Sequence, residues 1–358
     1  MNKRILMSGN EALAEGAIRA GCRYYFGYPI TPQSEIAAYM AKRMREVEGI
    51  FLQAESELAA INMVYGAASA GARTMTSSSG PGISLKQEGI SYLAGAELPA
   101  VVVNVMRGGP GLGNIAPSQS DYFQATRGGG HGDYHLVVLA PSSVQEMADL
   151  TYLAFDLADK YRNPMMILAD AILGQMMEGV RFRNGVKDIP GKKWAIGGAR
   201  GRDANIIRSL YLQEGVLEEH NRHLQEKYAR MRSQEVRYES FAAKDADLLI
   251  IAYGSMARLS MEVVNRLREK GVKAGLLRPI SLWPFPYTVI KRLIGAVKFF
   301  FVVEMSEGQM LEDVKLAVGS QVPVYFHGRL GGGVPTPVEI MEKIESLLVA
   351  SRSKTKNG

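Results

Sequence analysis

Two acids, Glu55 and Glu57, stand at a turn between an apolar run that ends at Gln53 and a helix of small residues that reaches Ala70. Carboxylates in a first helical turn meet the positive end of the helix dipole, which favours their ionised form. An acid so placed could do proton chemistry; both could equally be solvated acids at a helix start. Arg107 follows the run Ala100–Met106, which is apolar except for Asn104, and precedes two glycines. An arginine at such a strand end can take a carboxylate through two parallel bonds, or close a salt bridge within the fold. Thr31 lies in the turn Gly27-Tyr28-Pro29-Ile30-Thr31-Pro32, where flanking prolines fix its hydroxyl for a ligand or for the turn itself.

Other chemistries find less support. Gly109-Pro110-Gly111-Leu112-Gly113 only superficially follows the dinucleotide fingerprint, because its last glycine would fall at Asn114 and no helix opens there. The chain has no GxxxxGK[ST] segment, which excludes a P-loop. His131 and His135 flank Asp133 in a glycine-rich stretch without metal-ligand spacing, so no metal site is expected.

These residues need elements to position them. Helices are expected near 12–20, 33–45, 57–70 and 85–94, and after Ser143, which with Glu146 has capping-box spacing. Strands are expected at 23–26, Ile50–Gln53, 73–77, Ala100–Met106, 136–139 and 165–168. Alternation of strand and helix indicates an α/β domain with a parallel sheet. Ligands bind beyond the carboxyl ends of such strands. The loops 27–32, 54–57, 78–82 and 107–114 should therefore meet at one edge. Residues 174–243 differ: a polar, turn-rich stretch leads to a charged helix over 214–238, anchored by Leu217, Leu224, Tyr228 and Met231. A second α/β unit begins at Asp247, with strands at 248–252, 274–277, Phe299–Glu304 and 322–327 and a last helix over 337–349. The expected domains are thus 1–175, a basic helical connector over 176–243, 244–350, and a disordered tail over 351–358.

The bulk composition narrows the classes. Length (358 residues) and a 47% hydrophobic content suit about two globular domains. A single cysteine, Cys22, excludes a disulfide framework, a thiolate-held iron–sulfur cluster or a Cys-rich zinc site built from this chain alone, and reads as a buried thiol. The start, MNKRILMSGNEA, has no long apolar core, and no apolar run is long enough to span a bilayer, so a cytoplasmic location is expected. Residues 181–240 hold thirteen Lys/Arg against eight Asp/Glu, yet no aromatic-interleaved basic motif points to nucleic acid.

Taken together, GYPITP, AESELAA, SSSGPG and VNVMRGGPGLG resemble the α subunit of the 2-oxoacid:ferredoxin oxidoreductases. IAYGSMA, LLRPISLWPFP and VVEMSEGQM resemble that family's transketolase C-terminal-like domain, so the resemblance covers nearly the whole chain. PSQSDYFQ with GGGHGDYH is most similar to the subunit type for branched 2-oxoacids such as 3-methyl-2-oxobutanoate; the 2-oxoglutarate type is the alternative. A non-catalytic scaffold subunit of such a complex is an alternative of another class.

The resemblance implies an α/β fold in which a thiamine-diphosphate-binding domain of the pyrimidine type precedes a transketolase C-terminal-like domain. It implies oxidative decarboxylation of a 2-oxoacid with coenzyme A, giving an acyl-CoA and CO₂ and reducing ferredoxin. In that role Glu57, Thr31 and Arg107 would be catalytic. Glu57, Tyr28, Pro29, Ile30, Thr31, Ser79, Gly80 and Pro81 would line the cofactor, and Thr31, Arg107 and Gly108 the substrate. Aligned by the helix that follows it, the family's glutamate falls on Glu57 rather than Glu55, which implies that Glu57 would hydrogen-bond the pyrimidine nitrogen and promote loss of the thiazolium proton. A β subunit would hold the diphosphate and Mg²⁺, and partner subunits the iron–sulfur clusters. Expected partners are β, γ and ferredoxin-like δ subunits, assembled as a dimer of hetero-oligomers, with external ferredoxin as electron acceptor.

Overall fold

Short apolar strands and helices with local caps alternate from the amino end. The computed structural model describes residues 4–182, 189 and 191–356. The order is β1 (Ile5–Ser8), α1 (Gly9–Arg19), β2 (Tyr24–Gly27), α2 (Ser34–Glu46), β3 (Ile50–Gln53), α3 (Glu57–Ser69), β4 (Thr74–Ser78), α4 (Pro81–Gly95), β5 (Ala100–Met106), α5 (Tyr122–Arg127), β6 (Val137–Leu139), α6 (Val144–Tyr161) and β7 (Pro164–Asp170). There follow α7 (Ala171–Gln175), β8 (Met177–Val180), α8 (Val216–Gln234), β9 (Tyr238–Phe241), β10 (Leu248–Ile251), α9 (Gly254–Glu269), β11 (Ala274–Pro279), β12 (Ser281–Trp283), α10 (Tyr287–Leu293), β13 (Phe299–Glu304), α11 (Gln309–Val318), β14 (Val324–Gly328) and α12 (Pro337–Lys356).

Local chemistry explains several of these boundaries. Ser8 and Glu11 form a reciprocal capping box at α1, and the Ser143 hydroxyl accepts from the Glu146 amide at α6. Pro81 begins α4, where its missing amide hydrogen costs nothing. Every residue of β5 and β7 is buried, as suits strands covered on both faces.

The larger sheet has seven strands in the order β12-β6-β7-β5-β4-β2-β3. Strands β2 to β7 are parallel, so the turns after β3, β2, β4 and β5 lie at one edge. The smaller sheet runs β14-β13-β10-β11-β9. Three pairings were not expected from the sequence. β8 pairs antiparallel with β1, β9 pairs antiparallel with β11, and β12 leaves the second unit to pair antiparallel with β6 of the first sheet. The charged helix α8 buries Leu224, Tyr228 and Met231, and its buried Lys227 pairs with Glu97 at 3.1 Å. Of the tail, residues 351–356 belong to α12 and 357–358 lie outside the described residues.

Polar contacts join the two units. The Gln119 side chain accepts from the Met305 amide at 3.0 Å and donates to the Tyr253 carbonyl at 3.0 Å, and the Tyr253 hydroxyl donates back to the Gln119 carbonyl at 3.1 Å. Tyr122 and Arg127 both reach the buried Asp313 on α11. The segment 117–127 is thus the mortar between the sheets.

Candidate active site

At the carboxyl edge of the larger sheet the chain turns from β3 into α3, and Glu57 becomes the first residue of that helix. The Ser56 hydroxyl caps it, accepting from the Ala59 amide at 3.2 Å. Glu55 is exposed, whereas Glu57 is only 6% exposed. The Ser78 hydroxyl, at the end of β4, donates to Glu57 Oε1 at 3.5 Å. The first turn of α4 closes the other side. A Cβ at Gly82 would stand 2.1 Å from Ser78 Oγ and 2.4 Å from Glu57 Oε1, so only glycine lets the helix approach the acid. Two turns on, Gly89 meets Ile61 of α3 in the same close packing.

Arg107 occupies the opposite side of the α4 start. Its Nη1 donates to the Thr31 carbonyl at 3.1 Å and its Nη2 to the Leu112 carbonyl at 2.9 Å, which ties together the two loops 27–32 and 107–114. The guanidinium is buried, and its Nε has no partner among the described residues. Gly80, with φ of 45°, faces this side chain: a Cβ there would lie 3.4 Å from Arg107 Cγ. Arg107 lines a cavity of about 690 Å³ with Gly80, Pro81, Asp121, Met305 and Glu307, so both units form its walls.

Of the residues singled out in the sequence, Gly80, Pro81, Arg107 and Gly108 meet in this cavity. Thr31 reaches it through its backbone bond to Arg107, and its side chain is exposed. Glu57 lies behind the α4 start, against Gly82. Tyr28 and Pro29 are exposed at the edge, Ile30 is half-buried, and Ser79 is buried with its hydroxyl unpartnered among the described residues.

Further residues shape the site without having drawn notice for it. The Asn104 amide donates to Asp121 Oδ2 at 2.9 Å and so fixes an acid on the cavity wall. Burial pushes the Asp121 carboxyl above its ordinary range, against the Asn104 bond and the Arg107 charge. Tyr25 and Ser77 share a 2.6 Å bond, and Ser77 donates to Gln33 at 2.5 Å, bracing the base of the 27–32 turn. Glu304 is fully buried; burial pushes it up to about 7, although the Met310 and Leu311 amides and the Ser306 hydroxyl donate to it. Lys86 of α4 is also fully buried, and its amine has no partner among the described residues. Asn104 stood out as the polar residue of an apolar strand. Lys86, between Leu85 and Gln87 in an ordinary helix, carried no signal.

The arrangement combines a buried acid at a helix start, an arginine with spare donors, and a cavity between the two units. Buried unpartnered donors are costly, and Ser79 Oγ, Lys86 Nζ and Arg107 Nε are three of them among the described residues. Among the described residues no group of three or more His, Cys, Asp or Glu could hold a metal ion, and no helix is long and apolar enough to cross a membrane. Cys22 is buried, and burial pushes its thiol up to about 12.

Residues 15–240 match the family described as pyruvate flavodoxin/ferredoxin oxidoreductase, thiamine diphosphate-binding, and residues 246–340 match pyruvate:ferredoxin oxidoreductase core domain II. Over 343 residues the chain is 54% identical to ketoisovalerate oxidoreductase subunit VorB of Methanothermobacter marburgensis, covering 96% of this chain and 97% of the relative. Over 372 residues it is 38% identical to 2-oxoglutarate synthase subunit KorA of Methanothermobacter thermautotrophicus, covering 96% and 99%. A solved structure of 2-oxoglutarate:ferredoxin oxidoreductase from Magnetococcus marinus, with 2-oxoglutarate, coenzyme A and succinyl-CoA bound, matches at a TM-score of 0.86 and 27% identity. The match covers 96% of this chain, which spans 65% of the length of that solved chain.

Proposed function

The chain belongs to the pyruvate flavodoxin/ferredoxin oxidoreductase family, as a subunit of a 2-oxoacid:ferredoxin oxidoreductase, and we propose that it acts on a branched-chain 2-oxoacid such as 3-methyl-2-oxobutanoate. The reaction is oxidative decarboxylation with coenzyme A to an acyl-CoA and CO₂, with electrons passed to ferredoxin. One observation carries the substrate reading. Arg107 is the one cation among the described residues that line the cavity, and only two of its five N–H donors are taken, by the Thr31 and Leu112 carbonyls. A single carboxylate can take the donors that remain. The second carboxylate of 2-oxoglutarate would meet Asp121 and Glu307 instead, while Met305, Leu330 and Pro110 suit a branched hydrocarbon end. The higher identity to the ketoisovalerate relative than to the 2-oxoglutarate relative supports the same preference.

Thiamine diphosphate fits the residues present: Ser79 is a buried polar group in need of a partner, close in sequence to the Gly80–Pro81 wall of the cavity. When bound, the cofactor supplies an acidic carbon that adds to the ketone and an electron sink for loss of CO₂. This chain contributes orientation and charge. Glu57 would hold a proton toward the pyrimidine ring when the cofactor is bound, and Ser78 and Gly82 fix its carboxyl. Arg107, Gly108 and Thr31 hold the substrate, and the loop 27–32 and the start of α4 (Tyr28, Pro29, Ile30, Ser79, Gly80, Pro81) shape the wall around it. The diphosphate and Mg²⁺ belong to a β subunit. A single buried cysteine cannot ligate a cluster, so the iron–sulfur centres belong to other subunits.

Viologen reduction by the whole complex, with coenzyme A and a panel of 2-oxoacids, tests this. Branched substrates should exceed 2-oxoglutarate in kcat/KM by about tenfold or more, as expected where a second charge finds no partner. A preference for 2-oxoglutarate would overturn the substrate reading.

A further inference from the structure

We propose that Lys86 is a positioning residue for Glu57: its ammonium, enclosed between α3 and α4, is the counter-charge that holds the Glu57 carboxylate against the head of α4. The inference rests on Glu57 being the acid of the proposed function. Lysine is almost never fully buried without a partner, because its charge loses the solvation of water. Yet Lys86 is 0% exposed, and Nζ makes no hydrogen bond among the described residues. Side chains on a helix lean toward its amino end and cover the turn before them. Lys86 lies four residues after Gly82, so its stem runs back along the face that Gly82 presents. On that face a Cβ at Gly82 would stand 2.4 Å from Glu57 Oε1. The tight packing of Ile61 on Gly89 closes the far end of the same α3–α4 seam. Neither Glu57 nor Lys86 lines the Arg107 cavity, so the pair lies apart from the substrate charge. Burial lowers the Lys86 amine to about 8, and the Glu57 carboxylate is the charge that opposes this fall.

A buried charge kept only by its counter-charge becomes a burden when the counter-charge is removed. The test is a double-mutant cycle of Glu57→Gln and Lys86→Met, read first as melting temperature in the full chain. Glu57→Gln strands the ammonium and lowers Tm. Adding Lys86→Met removes the stranded charge, and the double variant should melt at least about 2 °C above Glu57→Gln alone, a shift typical of one kcal/mol in a chain of this size. The second readout is thiamine diphosphate affinity of the assembled complex. Lys86→Met should weaken it about tenfold in the wild-type background and leave it unchanged in the Glu57→Gln background. Equal Tm losses from Lys86→Met in both backgrounds would overturn the pairing. So would unchanged affinity in Lys86→Met beside impaired Glu57→Gln, with the Glu57 reading left standing. If Glu57→Gln alone left binding and turnover intact, the acid assignment would fall and the pairing with it.

Discussion

Arg107→Lys keeps the positive charge and removes the planar fork, which separates two roles of this side chain. Nη1 and Nη2 each donate one N–H, to the Thr31 and Leu112 carbonyls at 3.1 and 2.9 Å, and the guanidinium's other N–H groups are left for a substrate carboxylate. An ammonium cannot hold both carbonyls and the carboxylate in one fixed geometry. Losing one bond to a charged group costs about 1.5–3 kcal/mol. At 1.4 kcal/mol per decade, KM for the 2-oxoacid should rise about 10- to 150-fold. The assay is steady-state viologen reduction by the whole complex, with the 2-oxoacid varied at saturating coenzyme A. KM should carry most of the change, because the carboxylate is held before and during the reaction. A KM within twofold of wild type, whatever kcat does, would refute the reasoning and leave Arg107 as a tie between loops.

Three other outcomes follow from the same geometry. Gly82→Ala places a methyl group 2.4 Å from Glu57 Oε1, so it should lower stability by about 1–3 kcal/mol, read as Tm, and depress turnover with it. Unchanged values for both would contradict the close packing. Glu307→Arg adds a second cation to the cavity wall and should shift relative kcat/KM toward 2-oxoglutarate about fivefold; no shift would mean that Glu307 does not face the substrate tail. His135 stacks on Trp283 at 4.5 Å and meets the edge of Tyr228 at 5.5 Å, and burial lowers its imidazole to about 4. The unfolded chain therefore takes the proton first. The stability is complete above the ordinary imidazole range and is lost as pH falls from about 6.5 toward the folded value. His135→Phe should flatten the fall of Tm between pH 7 and pH 5, and parallel curves would count against it.

The edge that carries the site was legible because its strands announce themselves. Ala100–Met106 reads as a strand buried on both sides, and turn formers end it at Arg107, so the four loops follow from parallel topology alone. Asn104 was visible as an oddity, though its purpose, a bond to Asp121, depends on a chain reversal that no local pattern encodes. Three-residue β12 was not legible: it is too short for periodicity, and its partner β6 lies far back in the sequence. Lys86 was hidden for a different reason. A lysine flanked by Gln87 and Glu88 looks solvated, and its burial is decided by the glycine-lined approach of α4 to α3. The cavity was hidden likewise, since part of its wall comes from Met305, Glu307 and Gln309, which the Gln119 bonds draw to the first sheet.

If Glu57 promotes loss of the thiazolium proton as proposed, exchange of that proton for deuterium measures the step apart from substrate, coenzyme A and electron transfer. In the assembled complex loaded with thiamine diphosphate, quenched-flow exchange monitored by proton NMR should be about 10²- to 10⁴-fold slower for Glu57→Gln than for wild type. Exchange within a few-fold of wild type, with the cofactor still bound, would contradict the account.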